Sequence, residues 1–148
     1  MCGIFGVIGK APYHMKTMLA LLNNERGTDS CGLFNGTQRL RLPISIRDAI
    51  KENKIPLNYI ETDIFLGHTR NASRGMGRGS WGTKENAHPF RVGNTIGAHN
   101  GYISNWEDLK KEHLPKSTFD VDSNVAIAMI DKERFDAFEL FIGRAAIW

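Results

Sequence analysis

Five places along this chain hold side chains whose types and spacing could do chemistry. Cys2 follows the initiator Met1, which is ordinarily removed before a small residue. The mature chain would then begin with a thiol and a free α-amine on one residue. An α-amine titrates at roughly 7.7–8.0, so a good fraction is neutral near physiological pH and can take the thiol proton, activating a nucleophile without a separate histidine. Met-Cys alone is an ordinary start. The continuation Cys2-Gly3-Ile4-Phe5-Gly6 makes it more than that, because a small residue follows the thiol on an apolar segment able to hold the terminus rigid. Arg26-Gly27-Thr28-Asp29-Ser30 is a turn that could brace a site through a charge-assisted pair, or simply a solvated turn. His68-Thr69-Arg70 puts an arginine at a strand end, suited to a bidentate grip on a carboxylate or a phosphate. Asn100-Gly101 could aim a side-chain amide N–H and a backbone N–H at one developing oxyanion, although Asn-Gly is also a common hairpin turn. Asp122 could cap a helix or face the α-ammonium group of an amino acid.

Elements must position these groups. Cys2 to Gly9 reads as a buried strand, and Pro12 to Asn24 as a helix with Met15, Met18, Leu19 and Leu22 on one face. Cys31 to Phe34 and Thr37 to Leu42 read as a hairpin around Asn35-Gly36. Arg47 to Asn53 is a candidate helix and Asp63 to Thr69 a strand. Arg70 to Gly93, rich in glycine and without apolar periodicity, reads as a long loop of the kind that is often functional. Asn94 to His99 is a strand ending at Asn100-Gly101. Ser104 and Glu107 form a capping box for a helix to about Leu114. Asp122 or Ser123 caps a further helix through Ile130. Phe135 to Ile142 is apolar with helical character, and Ala145 to Trp148 starts a strand. Mixed strands and helices predict an α/β or α+β sandwich.

Bulk properties narrow the classes. A length of 148 residues suits one domain, and apolar and charged shares of 41% and 24% are those of a soluble globular chain. Two cysteines are too few for a disulfide scaffold, and no Cys/His spacing resembles a zinc site. The N-terminus does not read as a signal peptide and no apolar run is long enough to cross a bilayer, so a reducing cytoplasm is the expected compartment. Net charge is +3, too small to argue for nucleic acid. The stretch 70–91 is locally basic, with Arg70, Arg74, Arg78, Lys84 and Arg91 against Glu85 alone. With Trp81 it forms the basis of a nucleic-acid-binding alternative, which no binding motif accompanies.

Each feature alone is modest; their order is distinctive. Cys2-Gly3-Ile4, Arg26-Gly27-x-Asp29-Ser30-x-Gly32, His68-Thr69-Arg70, Asn86-Ala87-His88-Pro89, His99-Asn100-Gly101 and Val121-Asp122-Ser123 follow one another from Cys2 to about Ile130. This series resembles the class II glutamine amidotransferases, which are N-terminal nucleophile hydrolases, and above all the glutaminase domain of glucosamine-6-phosphate synthase. The resemblance implies an α+β fold, a four-layer αββα sandwich, over a single domain 1–148. It implies Cys2 as nucleophile, Asn100 and Gly101 as the oxyanion hole, Arg70 on the glutamine α-carboxylate and Asp122 on its α-amino group. Gly101 would also line the glutamine site, His88 would be a framework position at it, and Arg26 would be structural support. Glutamine is the implied substrate and a separate synthase the implied ammonia acceptor; neither metal nor cofactor is required.

Three departures accompany the resemblance. Where family members carry Trp-Ala-Thr-His-Gly after His-Thr-Arg, in the loop over glutamine, this chain has Asn71-Ala72-Ser73-Arg74-Gly75. Ser73 keeps a hydroxyl for the substrate; Asn71 and Arg74 replace an aromatic and a histidine. The run Gly75 to Gly82 is unusually glycine-rich and basic. The chain stops at Trp148 as a strand begins, which implies a minimal or shortened domain. These departures leave a catalytically degenerate, amidotransferase-like binding module as the alternative within the same fold.

Overall fold

A computed structural model of the chain describes residues 2–71 and 84–148. Ser73, the Gly75 to Gly82 run and Trp81 lie outside the described residues. The chain divides into two compact units, Met1–Pro89 and Phe90–Trp148.

The first unit is built on a four-stranded antiparallel sheet, in the order β1-β4-β2-β3, from β1 (Gly3–Ile8), β2 (Ser30–Phe34), β3 (Arg39–Leu42) and β4 (Ile64–Arg70). Helices α1 (Tyr13–Asn23) and α2 (Ile46–Lys51) accompany it among the described residues. Phe5, Ala20, Cys31, Leu33, Ile46, Ala49, Tyr59, Ile60 and Phe65 form its core. β1 and β4 share Phe5 and Phe65, whose rings meet in a tilted pair 5.8 Å apart. Ser45 starts α2 as an N-cap: its hydroxyl accepts the Asp48 N–H at 3.0 Å and donates to the Asp48 carboxylate at 2.7 Å.

Two expectations in this unit are corrected. The periodicity of α1 put Met15, Met18, Leu19 and Leu22 inward, but Met15, Met18 and Leu22 are exposed and only Leu19 packs on the core. Lys16 and Ala20 are buried instead. The Lys16 ammonium donates to the carbonyls of Ile60 (2.9 Å) and Thr62, which satisfies a group that would otherwise be costly to bury. The β2–β3 connection is not a two-residue Asn-Gly turn. It spans 35–38, because the Asn35 carboxamide oxygen accepts the backbone N–H groups of Thr37 (3.1 Å) and Gln38 (2.7 Å) and so widens the loop.

The second unit contains the hairpin β5 (Phe90–Val92) and β6 (Thr95–Gly97), and the antiparallel pair β7 (His99–Ile103) and β8 (Gly143–Ile147). Helices α3 (Trp106–His113), α4 (Asp122–Glu133) and the short α5 (Ala137–Leu140) accompany them. Its core is Ile103, Leu109, Val125, Ala126, Met129 and Ala137.

Here too the structure revises boundaries. The expected long loop ends early, since Phe90–Val92 is a strand. The expected strand 94–99 is split at Ala98, which exchanges hydrogen bonds with Trp148 (3.1 and 3.2 Å), so the chain changes partner there. Asn100-Gly101 is consequently inside β7, not in a turn. Ser104 and Glu107 do not cap α3; the Ser104 hydroxyl donates to the Ile142 carbonyl at 2.8 Å, and Asn105 precedes the helix. Neither Asp122 nor Ser123 is the cap of α4. Val121 holds that place, with Asp122 as the first helical residue, where its charge suits the helix dipole.

Candidate active site

In the first unit, the antiparallel register of β1 and β4 pairs Gly3 with Thr69 and Ile8 with Ile64. One step further along the same register, Cys2 lies beside Arg70. The two groups therefore share one end of the sheet because one strand starts there and its neighbour finishes there. Cys2 is half-buried, with Sγ 3.7 Å from the Asn71 carbonyl oxygen, and Arg26 Nε donates to the Cys2 carbonyl at 3.4 Å. Gly3 is required by this packing: a Cβ there would lie 2.5 Å from the Thr69 hydroxyl and 2.9 Å from Arg26 Cβ. The Thr69 hydroxyl in turn donates to the Asn23 carbonyl at 2.8 Å, tying the strand end to α1.

Arg70 continues the sheet opposite Ser30, and its carbonyl accepts the Asp29 N–H at 3.0 Å. The Arg26–Ser30 turn thus braces both strand ends, through Arg26 on β1 and Asp29 on β4. The guanidinium of Arg70 has a buried Nη1 with no hydrogen-bond partner among the described residues. A buried donor left unpaired is costly, and a planar guanidinium is shaped for a carboxylate. Cys31, the other thiol, is chemically quiet: burial pushes its pKa up from 9.0 to about 12. His88 is buried and stacks on His68, ring centroids 3.9 Å apart at 28°. The peptide bond between His88 and Pro89 is cis. Arg41 Nη1 holds the approach to His88 by donating to the Glu85 (3.0 Å) and Ala87 (3.4 Å) carbonyls.

In the second unit, β7 carries Asn100 and Gly101 while α4 presents Asp122. Gly101 has φ +151°, and a Cβ on it would sit 1.9 Å from the Arg144 carbonyl oxygen of β8. Only glycine fits this place. Asp122 is tied to the same strand: its Oδ2 accepts the Ile103 N–H at 3.2 Å and its Oδ1 the Ser123 N–H at 2.8 Å. Strand alternation turns His99 away from Asn100 and into the interior, where Nδ1 is 3.0 Å from Ser123 Oγ and 3.9 Å from Asp122 Oδ2. Burial lowers the His99 pKa, and the Asp122 charge opposes that shift.

The structure thus brings Cys2, Arg26 and Arg70 together in one unit, and Asn100, Gly101 and Asp122 in the other. Sequence reading missed His99 and Ser123 as a pair. The available signal was adjacency, since each directly neighbours a residue already singled out. Among the described residues no group of three or more His, Cys, Asp or Glu side chains could hold a metal ion. No helix among them is long and apolar enough to cross a membrane.

No family model matches the chain. It is 37% identical over 140 residues to a glutamine–fructose-6-phosphate aminotransferase (isomerizing) of Lactococcus lactis subsp. lactis strain IL1403, covering 89% of this chain and 22% of that protein. The enzyme of the same name from Gluconobacter oxydans strain 621H is 32% identical over 143 residues, covering 88% and 22%. The chain therefore spans about a fifth of the length of these relatives. Among solved structures, the allosteric regulatory enzyme of purine biosynthesis superposes with a TM-score of 0.73 at 23% identity, over 99% of this chain and 34% of that one. The glutamine phosphoribosylpyrophosphate amidotransferase of B. subtilis does so with 0.66 at 20% identity, over 99% and 34%. These likenesses give the fold as α+β of the N-terminal nucleophile hydrolase type. Over most of its length the chain is similar in sequence to these aminotransferases, and its sequence and fold together are consistent with a class II glutamine amidotransferase domain.

Proposed function

We propose that the chain hydrolyses the side-chain amide of glutamine, with residues 1–148 acting as one glutaminase domain and Cys2 as its nucleophile. The observation that carries this reading is the placement of Cys2 and Arg70 at one sheet end, next to the terminal pair Gly3 and Thr69, where a buried guanidinium nitrogen has no partner among the described residues. A thiol beside an open carboxylate grip is what hydrolysis of an amino-acid amide needs.

The steps follow from the chemistry of these groups. Removal of Met1 frees the Cys2 α-amine, which takes the thiol proton. The thiolate attacks the side-chain amide carbon, and the oxyanion is met by the Asn100 side-chain N–H and the Gly101 N–H. The tetrahedral intermediate collapses with transfer of a proton to the leaving nitrogen, expelling ammonia and leaving a γ-glutamyl thioester. Water then cleaves the thioester to glutamate, and the thiol regains its proton. Arg70 grips the α-carboxylate and Asp122 the α-ammonium group, Ser73 and His88 are assigned to substrate binding, and Arg26 supports Cys2. A separate synthase that accepts the ammonia acts as partner, in the reducing cytoplasm where both thiols stay reduced.

Release of glutamate from glutamine, with and without candidate synthases, tests the reading. The wild-type chain is expected to release it and Cys2→Ala to release none. Turnover by the Cys2→Ala protein would overturn the assignment. Mass spectrometry of the purified protein is expected to find Cys2 as the first residue and to find Cys2 labelled by a glutamine-mimicking electrophile.

A further inference from the structure

We propose that His99 and Ser123 are positioning residues for recognition of the glutamine α-ammonium group: neutral His99 donates from Nδ1 to the Ser123 hydroxyl, which donates onward to Asp122 and fixes its carboxylate. The proposal rests on the reading of Asp122 as the partner of that ammonium group.

The geometry sets the direction of this relay. Asp122 is an acceptor only, so the Ser123 hydroxyl, 3.3 Å from Oδ1, gives its proton to it. That leaves the hydroxyl oxygen as acceptor for His99 Nδ1 at 3.0 Å. The direct His99–Asp122 separation of 3.9 Å is too long for a hydrogen bond, so the contact runs through Ser123. The other ring nitrogen, Nε2, is buried and has no hydrogen-bond partner among the described residues. Protonating it would bury an orphaned donor and a net charge, whereas the Nδ1–H tautomer leaves only a lone pair unmet. The direction of the His99 pKa, lowered by burial, agrees with a neutral ring.

The relay has a purpose that packing alone does not supply. The Asp122 side chain is 20% exposed, so its carboxylate reaches the surface of the unit. The Ile103 and Ser123 N–H groups fix where its two oxygens are anchored. The Ser123 hydroxyl adds a bond whose direction His99 dictates, because His99 occupies the oxygen's accepting side. His99 is also the residue next to Asn100 on β7. One rigid strand therefore sets both the oxyanion donor and, through its buried face, the ammonium acceptor.

Kinetics of the full-length chain on glutamine and on glutaramate, which is glutamine without its α-amine, tests the proposal. His99→Leu and Ser123→Ala are expected to lower the kcat/KM ratio of glutamine over glutaramate about 10-fold, the loss of roughly one hydrogen bond to a charged group. Most of that is expected in KM. His99→Asn, whose side-chain N–H can reach the same hydroxyl, is expected to restore most of the ratio. Ring ¹⁵N shifts at neutral pH are expected to report the Nδ1–H tautomer for His99. Equal losses on both substrates, or an Nε2–H tautomer, would overturn the proposal. Should His99→Leu fail to fold, Ser123→Ala and the tautomer measurement decide it alone. An Asp122→Ala protein with an unchanged glutamine KM would overturn the assignment of Asp122 itself, which the variants of His99 and Ser123 do not test.

Discussion

Arg70 is useful at this site because a guanidinium offers two parallel N–H groups where an ammonium offers a point charge. Its buried Nη1 has no partner among the described residues, so a carboxylate would answer a need already present. Arg70→Lys keeps the charge but loses the fork, and steady-state kinetics is expected to show glutamine KM rising at least about 10-fold while kcat falls far less. Asn100→Ala separates differently. The lost group would act on the oxyanion and not on ground-state glutamine, so kcat is expected to fall about 100–1,000-fold with little change in KM. A circular dichroism spectrum like that of the wild type would show that the variant still folds. A large KM effect with preserved kcat would instead make Asn100 a binding residue. The motif order made these residues legible in the sequence. That Cys2 and Arg70 share one sheet end was not legible, because there the β1–β4 register pairs Gly3 with Thr69, far along the chain.

Elements were legible where local pattern and tertiary packing agree. β1, β4 and α2 fall close to their expected ranges, since apolar runs and turn residues there point the same way as the final burial. α1 shows the opposite case. Its apolar stripe is largely exposed and its buried positions include a lysine, because the carbonyls of Ile60 and Thr62, far along the chain, offer that ammonium its bonds. Lys16→Leu would leave both carbonyls short of a donor, and chemical denaturation is expected to show a loss of about 1–3 kcal/mol. Asn100-Gly101 misled in another way, since the dipeptide is ambiguous until its neighbours are known. In β7, Gly101 combines a positive φ with the Arg144 carbonyl at the place a Cβ would take. Gly101→Ala is therefore expected to cost more than about 2 kcal/mol and to loosen the β7–β8 pair. Hydrogen exchange across 99–103 and 143–147 would detect this, and unaltered protection there would argue against the strain.

At the scale of the whole molecule, each unit carries a buried group whose titration links its stability to pH, in opposite directions. His99 belongs to the unit Phe90–Trp148 and Cys31 to Met1–Pro89. The His99 pKa is lowered in the fold by burial, against the opposing charge of Asp122. The unfolded chain binds a proton there at about pH 6.5, before the folded one does. The stabilisation is therefore complete above about 6.5 and is lost as pH falls through the folded value. Cys31 works in the other direction. Burial raises its pKa from 9.0 to about 12, so the unfolded thiol ionises first as the medium becomes alkaline. Its contribution is complete below 9.0 and is lost as pH rises from there toward about 12, with a limiting slope of about 1.4 kcal/mol per pH unit. Buried Tyr59, also raised by burial, adds to the same limb in the same unit. Through His99, Phe90–Trp148 is thus expected to weaken as pH falls below about 6.5, and through Cys31, Met1–Pro89 is expected to weaken as pH rises above about 9. Hydrogen exchange resolved by segment, measured across pH, separates the limbs. His99→Asn is expected to flatten the acid limb only, and Cys31→Ala the alkaline limb only. The cavity left by the smaller side chain lowers stability at every pH, whereas the linkage changes the slope, so a Cys31→Ala protein with an unaltered alkaline slope would show that another group governs it.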